Sequence, residues 1–425
     1  MYNFFYKCFV WLYGMVARML APFSQKARLW VHGRKQWKQV LEQRITAANL
    51  HTSGGQVVWM HASSLGEFEQ GRPLLEALKQ QIPGLKIVVS FFSPSGYEAS
   101  KNNPLAHVTT YLPEDTPNNA AVFLKLVKPQ LVIWVKYDYW YCFLQAIHSG
   151  AVPLLLVSAI FRSSQPFFKW YGGLHRQMLG YFTHLFVQNA LSAQALQPML
   201  NASKVTVSGD TRFDRVTKIA QQWLPIAPIE TWLDGSPMVV VAGSTWPEDE
   251  MLLRHYASQH PQVKFVIAPH QIGEAAMAKT LKLFKNACLY SQLSSPATSK
   301  NENNTLIINN IGMLSKLYNY GTVCYVGGGF SRSGIHNVLE AAVYGKPVIH
   351  GPNYQKFAEA AELMKAGGSF SISNAEALTQ QLDNLLNKKS VRDTAGNAAQ
   401  ASVQRQTGAT ASILGYIYEN RLLTR

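Results

Sequence analysis

Charged residues are scarce in this chain of 425 residues, making up only 15% of the sequence, against roughly 25% in an average soluble domain. Apolar types make up 47%, and this much apolar surface can offset the entropy of ordering, which excludes a disordered chain. Long hydrophobic runs are also missing after residue 25, which excludes a polytopic membrane protein. The length predicts two or three domains of roughly 100–200 residues.

Cysteine is rarer still. The four cysteines, Cys8, Cys142, Cys288 and Cys324, form no CxxC pair and have no histidine cluster nearby. We therefore expect a reducing compartment, no disulfide framework and no zinc site.

Acidic residues are the scarcer charge, with 24 against 39 lysines and arginines and a net charge of +15. Residues 1–50 carry eight of the basic residues and a single acid, Glu42. Such a surface attracts phospholipid headgroups, nucleic acid or a phosphorylated substrate. No helix-turn-helix, zinc-finger or RNP pattern accompanies the charge, so we do not expect nucleic acid as a partner.

The first 23 residues contain only Lys7 and Arg18 as charges and are rich in aromatic and aliphatic types. About 20 helical residues span the roughly 30 Å hydrocarbon core, so a transmembrane anchor and a helix lying in the interface both fit. The basic residues at positions 26–38 would remain cytoplasmic. A cleavable signal peptide is not favoured because charges interrupt the apolar core. The structural alternative is a helix buried against the protein itself.

From residue 56 onward, short β-rich runs alternate with stretches of helical periodicity, which predicts parallel, doubly wound sheets. The pattern restarts after Val205–Gly209 without a sequence repeat, so we expect two similar domains with a boundary near Gly209–Asp214. Ligands would bind in a cleft at the carboxyl ends of the strands. The Pro-rich stretch Leu224–Pro237 is predicted to be a surface loop. Helices are predicted over Gly71–Gln81, Pro117–Val127 and Tyr139–His148. The predicted strands are Val57–Met60, Lys86–Phe91, Leu131–Val135, Val152–Val157, His184–Val187, Met238–Ala242, Lys264–Ala268, Thr305–Ile308, Val323–Val326 and Pro347–His350.

The segment His61–Glu67 follows a predicted strand and opens a helix. Small residues and Gly66 would let the turn pass close to a ligand, and a helix N-terminus favours an anion. Glu67 falls in the first helical turn, where a carboxylate is a candidate general base for a substrate hydroxyl. The structural alternative is that Glu67 only complements the helix dipole.

The segment Val326–Glu340 reads as a strand, a glycine turn, a polar loop and a helix beginning near His336. Consecutive glycines permit positive φ and a close backbone approach, so that amides can surround a phosphate. The helix dipole and Arg332 would add positive potential, and Glu340 would accept hydrogen bonds from ribose hydroxyls. This is neither a P-loop nor GxGxxG on the first strand. The structural alternative is a tight turn without a ligand. The three glycines are Gly327, Gly328 and Gly329.

Three weaker candidates also follow predicted strands. The first is a helix start rich in hydroxyls and acids, which suits capping as well as binding. The second is a lone histidine, which is more often structural. The third is a glycine turn, whose backbone amides can hydrogen-bond a nucleotide base. Together they would line one edge of one sheet. They are Ser244 in Ala242–Glu250, His270 in Ala268–Gln271, and Met313 in Ile311–Leu314.

Five motifs, taken in order, resemble 3-deoxy-D-manno-octulosonic acid (Kdo) transferases, which build the inner core of lipopolysaccharide on lipid A. The resemblance implies a glycosyltransferase-B fold, with two facing doubly wound Rossmann-like domains and a membrane-associated N-terminal helix. The implied organisation is a membrane segment at 1–38, an acceptor domain at 39–208, a CMP-Kdo domain at 209–405 and a helix at 406–425 that returns to the first domain. The motifs are HASSLGE (His61–Glu67), GDTRFD (Gly209–Asp214), AGSTWPEDE (Ala242–Glu250), IGML (Ile311–Leu314) and YVGGGFSRSGIHNVLEAAVYGKPVIHGP (Tyr325–Pro352).

The resemblance implies inverting transfer of Kdo from CMP-Kdo to a lipid A precursor, lipid IVA, at the cytoplasmic face of the inner membrane. Glu67 matches the family's SxGE glutamate, the proposed base. Phospholipid would be a partner, and no metal or cofactor is implied. The implied acceptor-binding residues are Ser64, Gly66, Lys136 and Arg72. The implied donor-binding residues are Gly327, Gly328, Gly329, Asn337, Glu340, Met313, Ser244, His270 and Arg212.

The sequence departs from the family pattern at two places. Lys136 stands where relatives carry an acid, and the arginine that often precedes the histidine equivalent to His270 is absent. Arg212, Arg332 and Lys346 are then candidates to meet an anionic group of the donor. Both departures are compatible with a different lipid A acceptor or with another sugar.

Two other functions remain open at this stage. One is another membrane-associated glycosyltransferase or a nucleotide-sugar epimerase of the same fold; the N-terminal segment argues against an epimerase, which needs no anchor. The other is a membrane-bound scaffold without turnover, which would be unaffected by replacement of Glu67.

Overall fold

The computed structural model describes residues 2–51, 55–293 and 303–423. Contacts divide the chain into two compact units. Unit 1 contains the residues up to Arg215 and those from Gly408 onward, and unit 2 runs from Val216 to Thr407.

Unit 1 is built on a seven-stranded sheet in the order β3-β2-β1-β4-β5-β6-β7, with every neighbouring pair parallel. Its central strands are continuous apolar runs, as expected where helices cover both faces of a sheet. Side chains alternate between the faces, so that Trp59 joins one buried cluster and Met60 the other. The strands are β1 (Val57–Ala62), β2 (Lys86–Phe91), β3 (Val108–Tyr111), β4 (Leu131–Val135), β5 (Leu154–Ala159), β6 (His184–Val187) and β7 (Val205–Val207).

Side-chain caps set the start of several helices of unit 1. The hydroxyls of Ser93 and Thr116 and the amide oxygen of Asn189 each accept a hydrogen bond from a backbone N–H in the first turn, which satisfies a donor that the helix itself cannot. The helices are α1 (Tyr2–Leu20), α2 (Gln25–His32), α3 (Trp37–Ala47), α4 (Leu65–Gln81), α5 (Pro94–Ser100), α6 (Pro117–Val127), α7 (Tyr141–Ser149), α8 (Gly173–Gly180), α9 (Ala190–Leu196) and α10 (Thr211–Gln221), which runs on into unit 2.

Unit 2 repeats the architecture with a parallel sheet in the order β10-β11-β9-β8-β12-β13-β14. The strands are β8 (Val239–Thr245), β9 (Lys264–Pro269), β10 (Ala287–Leu289), β11 (Thr305–Ile307), β12 (Val323–Val326), β13 (Val348–His350) and β14 (Ser369–Ser371). The helices are α11 (Ala227–Leu233), α12 (Pro247–Gln259), α13 (Glu274–Leu283), α14 (Leu314–Leu317), α15 (Leu339–Ala342), α16 (Ala358–Lys365), α17 (Ala375–Asn387) and α18 (Lys389–Gln404).

The last helix, α19 (Ala409–Glu419), packs in unit 1. Ile413 and Ile417 are fully buried in the cluster that also contains Met60. The carboxylate of Asp214 accepts hydrogen bonds from the backbone N–H groups of Gly408 and Thr410, both at 2.6 Å. These bonds fix the start of the helix.

The predicted fold class of two parallel α/β sheets is confirmed. Two local predictions are wrong. Leu224–Pro237 contains α11, because a proline is tolerated in the first turn of a helix. The helix expected near His336 begins only at Leu339 and makes a single turn, so it contributes little dipole at the glycine turn.

The N-terminal helix α1 has one face on the protein and the other in solvent. Val10 is buried, so part of the helix contacts the protein. Within the described residues, no helix combines the length and apolar character needed to span a bilayer. The helix is not buried on all sides. Its exposed large apolar residues are Phe4, Phe5, Phe9, Trp11, Leu12, Tyr13, Val16, Met19 and Leu20.

Candidate active site

Both sheets reverse the direction of their strand order once, between β1 and β4 in unit 1 and between β8 and β12 in unit 2. Ligands of such sheets bind beyond the carboxyl ends of the strands at this switch point. Glu67 and Lys136 follow β1 and β4, while Ser244 and the glycine turn lie at the ends of β8 and β12. The sequence candidates therefore lie at the expected end of each sheet.

Glu67 occupies the third position of α4, whose N-cap is Ser64. Its Oε2 atom accepts hydrogen bonds from the backbone N–H groups of Ser63 (2.5 Å) and Ser64 (3.2 Å), and the Ser64 hydroxyl accepts from the Glu67 N–H (3.5 Å). This capping box is the structural role that the sequence left open. It engages one oxygen, and no described residue donates a hydrogen bond to Oε1.

Burial, and after it the neighbouring negative charge of Asp138, raise the pKa of Glu67, which is about 7. The two backbone N–H groups and the charge of Lys136 oppose this shift. A carboxylate with a pKa near neutrality is suited to accept a proton at physiological pH.

Asp138 and His61 belong to the same environment, and the sequence analysis did not assign either a role. His61 is fully buried, and its Nε2 lies 3.9 Å from Asp138 Oδ2. Its Nδ1 contacts Ser90 Oγ at 2.9 Å, and this oxygen accepts a hydrogen bond from the Trp59 indole (2.8 Å). Burial lowers the pKa of His61, so the imidazole is neutral. In the sequence, the position of Asp138 just after a predicted strand was the feature that could have marked it as a site candidate.

The other acceptor-binding residues that the resemblance implied have different surroundings. Lys136 is buried in a left-handed backbone conformation (φ 57°), with its ammonium 5.3 Å from the Tyr137 ring centre. Gly66 is exposed, and a Cβ there would meet no atom within 4 Å. Arg72 lies further along α4 and donates a hydrogen bond to Glu69 (2.7 Å).

The glycine turn of unit 2 is packed against backbone. A Cβ on Gly327 would lie 2.3 Å from the Ser244 carbonyl oxygen, and one on Gly329 would lie 2.6 Å from Gly351. Gly328 has a φ of +91°. Close approach and positive φ therefore require glycine here.

Two of the three glycine amides are already engaged. The Gly327 N–H donates to the Gly243 carbonyl and the Gly328 N–H to Asp249 Oδ2, both at 2.9 Å. The amides of Gly329 and Phe330 have no hydrogen-bond acceptor among the described residues. Gly329 and Phe330 thus provide the amides at this turn that can meet a ligand.

Asp249, which the sequence grouped with helix-capping acids, is the internal support of this turn. It is fully buried, and it accepts hydrogen bonds from the Trp246 N–H (2.9 Å), the Tyr325 hydroxyl (2.7 Å) and the Gly328 N–H. Burial raises its pKa. Both of its oxygens are used within the protein.

Three rings contact one another beside the turn. The rings of Trp246 and His270 lie 4.7 Å apart and those of His270 and His336 lie 4.6 Å apart. The Trp246 indole N–H donates to His336 Nε2 at 3.3 Å. Burial, assisted by His270, lowers the pKa of His336 to about 4. His336 is therefore neutral with its proton on Nδ1.

The remaining donor candidates have separate places. Asn337 donates to Glu340 at 3.1 Å, and the Asn337 side-chain oxygen accepts from the Leu339 N–H. Met313 precedes α14. Arg212 lies in unit 1, paired with Asp210 at 2.8 Å.

Comparison with known proteins identifies relatives along most of the chain. Residues 36–215 match the family model of 3-deoxy-D-manno-octulosonic-acid transferase (kdotransferase). The 3-deoxy-D-manno-octulosonic acid transferase of Haemophilus influenzae is 27% identical over 376 residues, covering 84% of this chain and 86% of its own length. That of Bordetella pertussis is 26% identical over 426 residues, covering 95% and 97%.

Solved structures agree on the fold. A UDP-GlcNAc 2-epimerase from Neisseria meningitidis bound to UDP-GlcNAc is similar with a TM-score of 0.59 and 15% identity, over 86% of this chain and 100% of that one. MurG from Acinetobacter baumannii is similar with a TM-score of 0.52 and 15% identity, over 86% and 99%. The family model, the relatives and the sequence motifs agree, and the chain is similar to Kdo transferases along most of its length.

Proposed function

We propose that this protein transfers Kdo from CMP-Kdo to a lipid A precursor, lipid IVA, with inversion at the anomeric carbon and with Glu67 as the general base. The similarity to Kdo transferases supports the donor and the acceptor class. The observation that carries the mechanism is Glu67 itself, a half-buried carboxylate at a switch point with a pKa of about 7 and with one oxygen that no described residue hydrogen-bonds.

The step is a single displacement. The acceptor hydroxyl gives its proton to Glu67 while its oxygen bonds to the anomeric carbon, and the bond from that carbon to the CMP phosphate oxygen breaks. The electron pair of the broken bond leaves with CMP. The capping box holds Oε2 in place, so that the carboxylate is oriented before the acceptor arrives.

Unit 2 supplies the groups that would hold the donor. The amides of Gly329 and Phe330 would donate to the phosphate, with Asp249 fixing the backbone beneath them. The neutral His336 would add one N–H donor at Nδ1. Asn337 and Glu340, joined to each other, would bind the ribose. Preorganised donors of this kind stabilise a leaving phosphate electrostatically.

Unit 1 carries a cavity suited to an amphipathic acceptor. A cavity of about 400 Å³ is lined by Tyr13 and Leu20 of α1, by Lys26 and Trp30 of α2, and by Ser63, whose N–H bonds to Glu67. Apolar rings and a lysine in one cavity match the acyl and phosphate parts of a phosphorylated lipid. Together with the exposed apolar face of α1, this supports a site at the cytoplasmic face of the inner membrane.

The proposal is tested by measuring the mass of the reaction product. Purified protein would be incubated with a tetraacylated, bisphosphorylated lipid A precursor and with CMP-Kdo generated in situ. Addition of one or more Kdo residues is the expected result.

An unchanged acceptor mass with folded protein that still binds CMP would contradict this acceptor or this sugar. The next assay would then offer UDP-GlcNAc alone and follow epimerisation, which the fold also supports.

A further inference from the structure

A second exposed aromatic site lies in unit 1, far from α1 in sequence. Trp170 is 91% exposed and Tyr171 51% exposed, and their rings pack edge-to-face at 5.6 Å. They form the tip of the loop between β5 and α8, which we call the aromatic tip.

The aromatic tip is built on a fixed base. The Arg176 guanidinium donates to the carbonyl oxygens of Phe167 and Lys169, both at 2.9 Å. Phe167 is buried against Tyr139, with ring centres 4.9 Å apart. A Cβ on Gly172 would lie 1.9 Å from the Pro166 oxygen. The loop is therefore held at both ends while its two rings remain in solvent.

The aromatic tip and α1 lie at the same end of unit 1, where the strands of its sheet have their carboxyl ends. We call this end the carboxyl edge. The tip follows the carboxyl end of β5. Helix α1 contacts residues that follow three other strands: Tyr13 packs on Phe92 at 5.7 Å, and Tyr6 bonds to Asp115 and packs on Tyr141 at 5.6 Å. Glu67 follows β1, which lies between β2 and β4 in the sheet.

The segment that carries the aromatic tip and the segment that carries α1 contain basic residues and no acidic ones. Residues 139–209 contain no Asp or Glu, and their charged residues are all basic, including Arg162 and Lys169 within the loop. The α1 segment likewise has no acid before Glu42. Trp, Tyr and Lys are the residue types favoured at a membrane interface, and anionic lipid attracts basic segments beside it.

We propose that the aromatic tip is a second contact with an anionic bilayer, so that the protein binds the membrane at two places along the carboxyl edge of unit 1. This inference rests on the proposed function for its biological purpose, since two contacts would orient the edge that bears Glu67 toward a lipid acceptor. Two contacts fix the orientation of the protein on the membrane, whereas a protein bound through a single helix can rotate about that helix.

The experiment compares binding of the full chain to vesicles of phosphatidylethanolamine and phosphatidylglycerol. Replacing both rings, W170S with Y171S, should weaken partitioning by about tenfold, because interfacial binding scales with inserted apolar area. Leu224→Ser is the control, since Leu224 is 69% exposed and lies in unit 2, and it should bind as the wild type does.

A direct reading of depth comes from a nitroxide at position 170. Cys8 is the exposed cysteine and the other three are buried, so W170C in a Cys8→Ser background labels selectively. With vesicles the label should become accessible to oxygen and protected from a water-soluble nickel reagent.

Unchanged partitioning of the double variant, or a label that stays in water, would overturn the proposal. So would loss of a dimer in the double variant on sedimentation, which would make the aromatic tip a contact between copies. Turnover on detergent-dispersed acceptor separates the two hypotheses: its absence in the wild type contradicts Kdo transfer, whereas the vesicle result stands independently.

Discussion

Glu67 and Asp249 occupy the same position in the two units. Each is the third residue of the helix that follows the first strand of its sheet, and each accepts the backbone N–H of its N-cap residue. Glu67 accepts one further N–H, from Ser63, at the same oxygen, and its Oε1 has no donor among the described residues. Asp249 goes on to bind the Tyr325 hydroxyl and the Gly328 N–H.

The comparison distinguishes a carboxylate that can accept a proton from one that stabilises the backbone. Equal topology places a carboxylate beyond the same strand in both units, and the groups around it decide what it does. Around Glu67 are ionisable side chains, Asp138 and Lys136, which shift its pKa in opposite directions. Around Asp249 are neutral donors that use both of its oxygens. The first acid is free to react, and the second holds a glycine turn in place.

Replacing Glu67 by Gln should have the largest effect on turnover. A glutamine keeps an oxygen for the two N–H groups of the capping box and places its NH₂ where no donor competes, so the fold should survive. Loss of the base should lower kcat for Kdo transfer by about 10²–10⁴-fold. Product formation by mass spectrometry and CMP affinity by calorimetry would be measured together.

Stability gives an independent check on the same variant. Because the pKa of Glu67 is raised in the fold, its ionisation costs stability as pH rises from its ordinary value toward 7. Glu67→Gln should therefore be at least as stable as the wild type at pH 8. Glu98→Gln, at a surface pair with Lys101, is the matched control. Full turnover in Glu67→Gln would remove the base assignment.

The corresponding change at Asp249 should do the reverse. In Asp249→Asn one oxygen becomes an NH₂ that faces a donor, because both oxygens accept hydrogen bonds. We expect a loss of about 1–3 kcal/mol in the free energy of unfolding, with CMP affinity reduced about tenfold or more. Urea unfolding and calorimetry measure these quantities.

The control for this variant is Asp393→Asn, at an exposed carboxylate in unit 2. If Asp249→Asn is as stable as that control and binds CMP as tightly as the wild type, Asp249 does not support the turn.

The sequence allowed the strands to be predicted where burial is continuous. Lys86–Phe91, Leu131–Val135 and Val323–Val326 match their predicted bounds, because a strand buried on both faces reads as an unbroken apolar run. The strands β3, β7, β10 and β14 were missed. They are three or four residues long, and pairing with a neighbour rather than local pattern makes them strands.

The site was predictable to the same extent. Glu67 and the glycine turn could be proposed as candidates because both lie in short segments that follow predicted strands, and the structure places both beyond the carboxyl ends of strands. The contacts from Asp249 to Gly328 and from Trp246 to His336 join residues 79 and 90 positions apart, and no local pattern reports such pairs. The role of Asp138 beside Glu67 likewise depends on strand order.

The pH dependence should distinguish the two charges that act on Glu67. Because the base works as a carboxylate, kcat/KM should rise with pH through about 7. Removing the negative charge in Asp138→Asn should move this acidic limb to lower pH by about one unit. Removing the positive charge in Lys136→Met should move it to higher pH. The pH–rate profile of Kdo transfer measures both.

The opposite signs make each variant the control of the other. A limb that moves in the same direction in both variants, or in neither, would mean that Glu67 does not set the profile.

Gly66→Ala should give the smallest effect on turnover, together with a gain in stability. Gly66 lies in the first turn of α4, and a Cβ there meets open space, so alanine should raise stability by a few tenths to about 1 kcal/mol. If the acceptor passes close to this backbone, the added methyl should lower turnover about three- to tenfold. Gly180→Ala is matched, since it is also helical with open space around its Cβ position, and it should leave turnover unchanged. Equal turnover in both variants would mean that the acceptor does not contact the backbone at Gly66, because the protein itself makes no steric demand for glycine there.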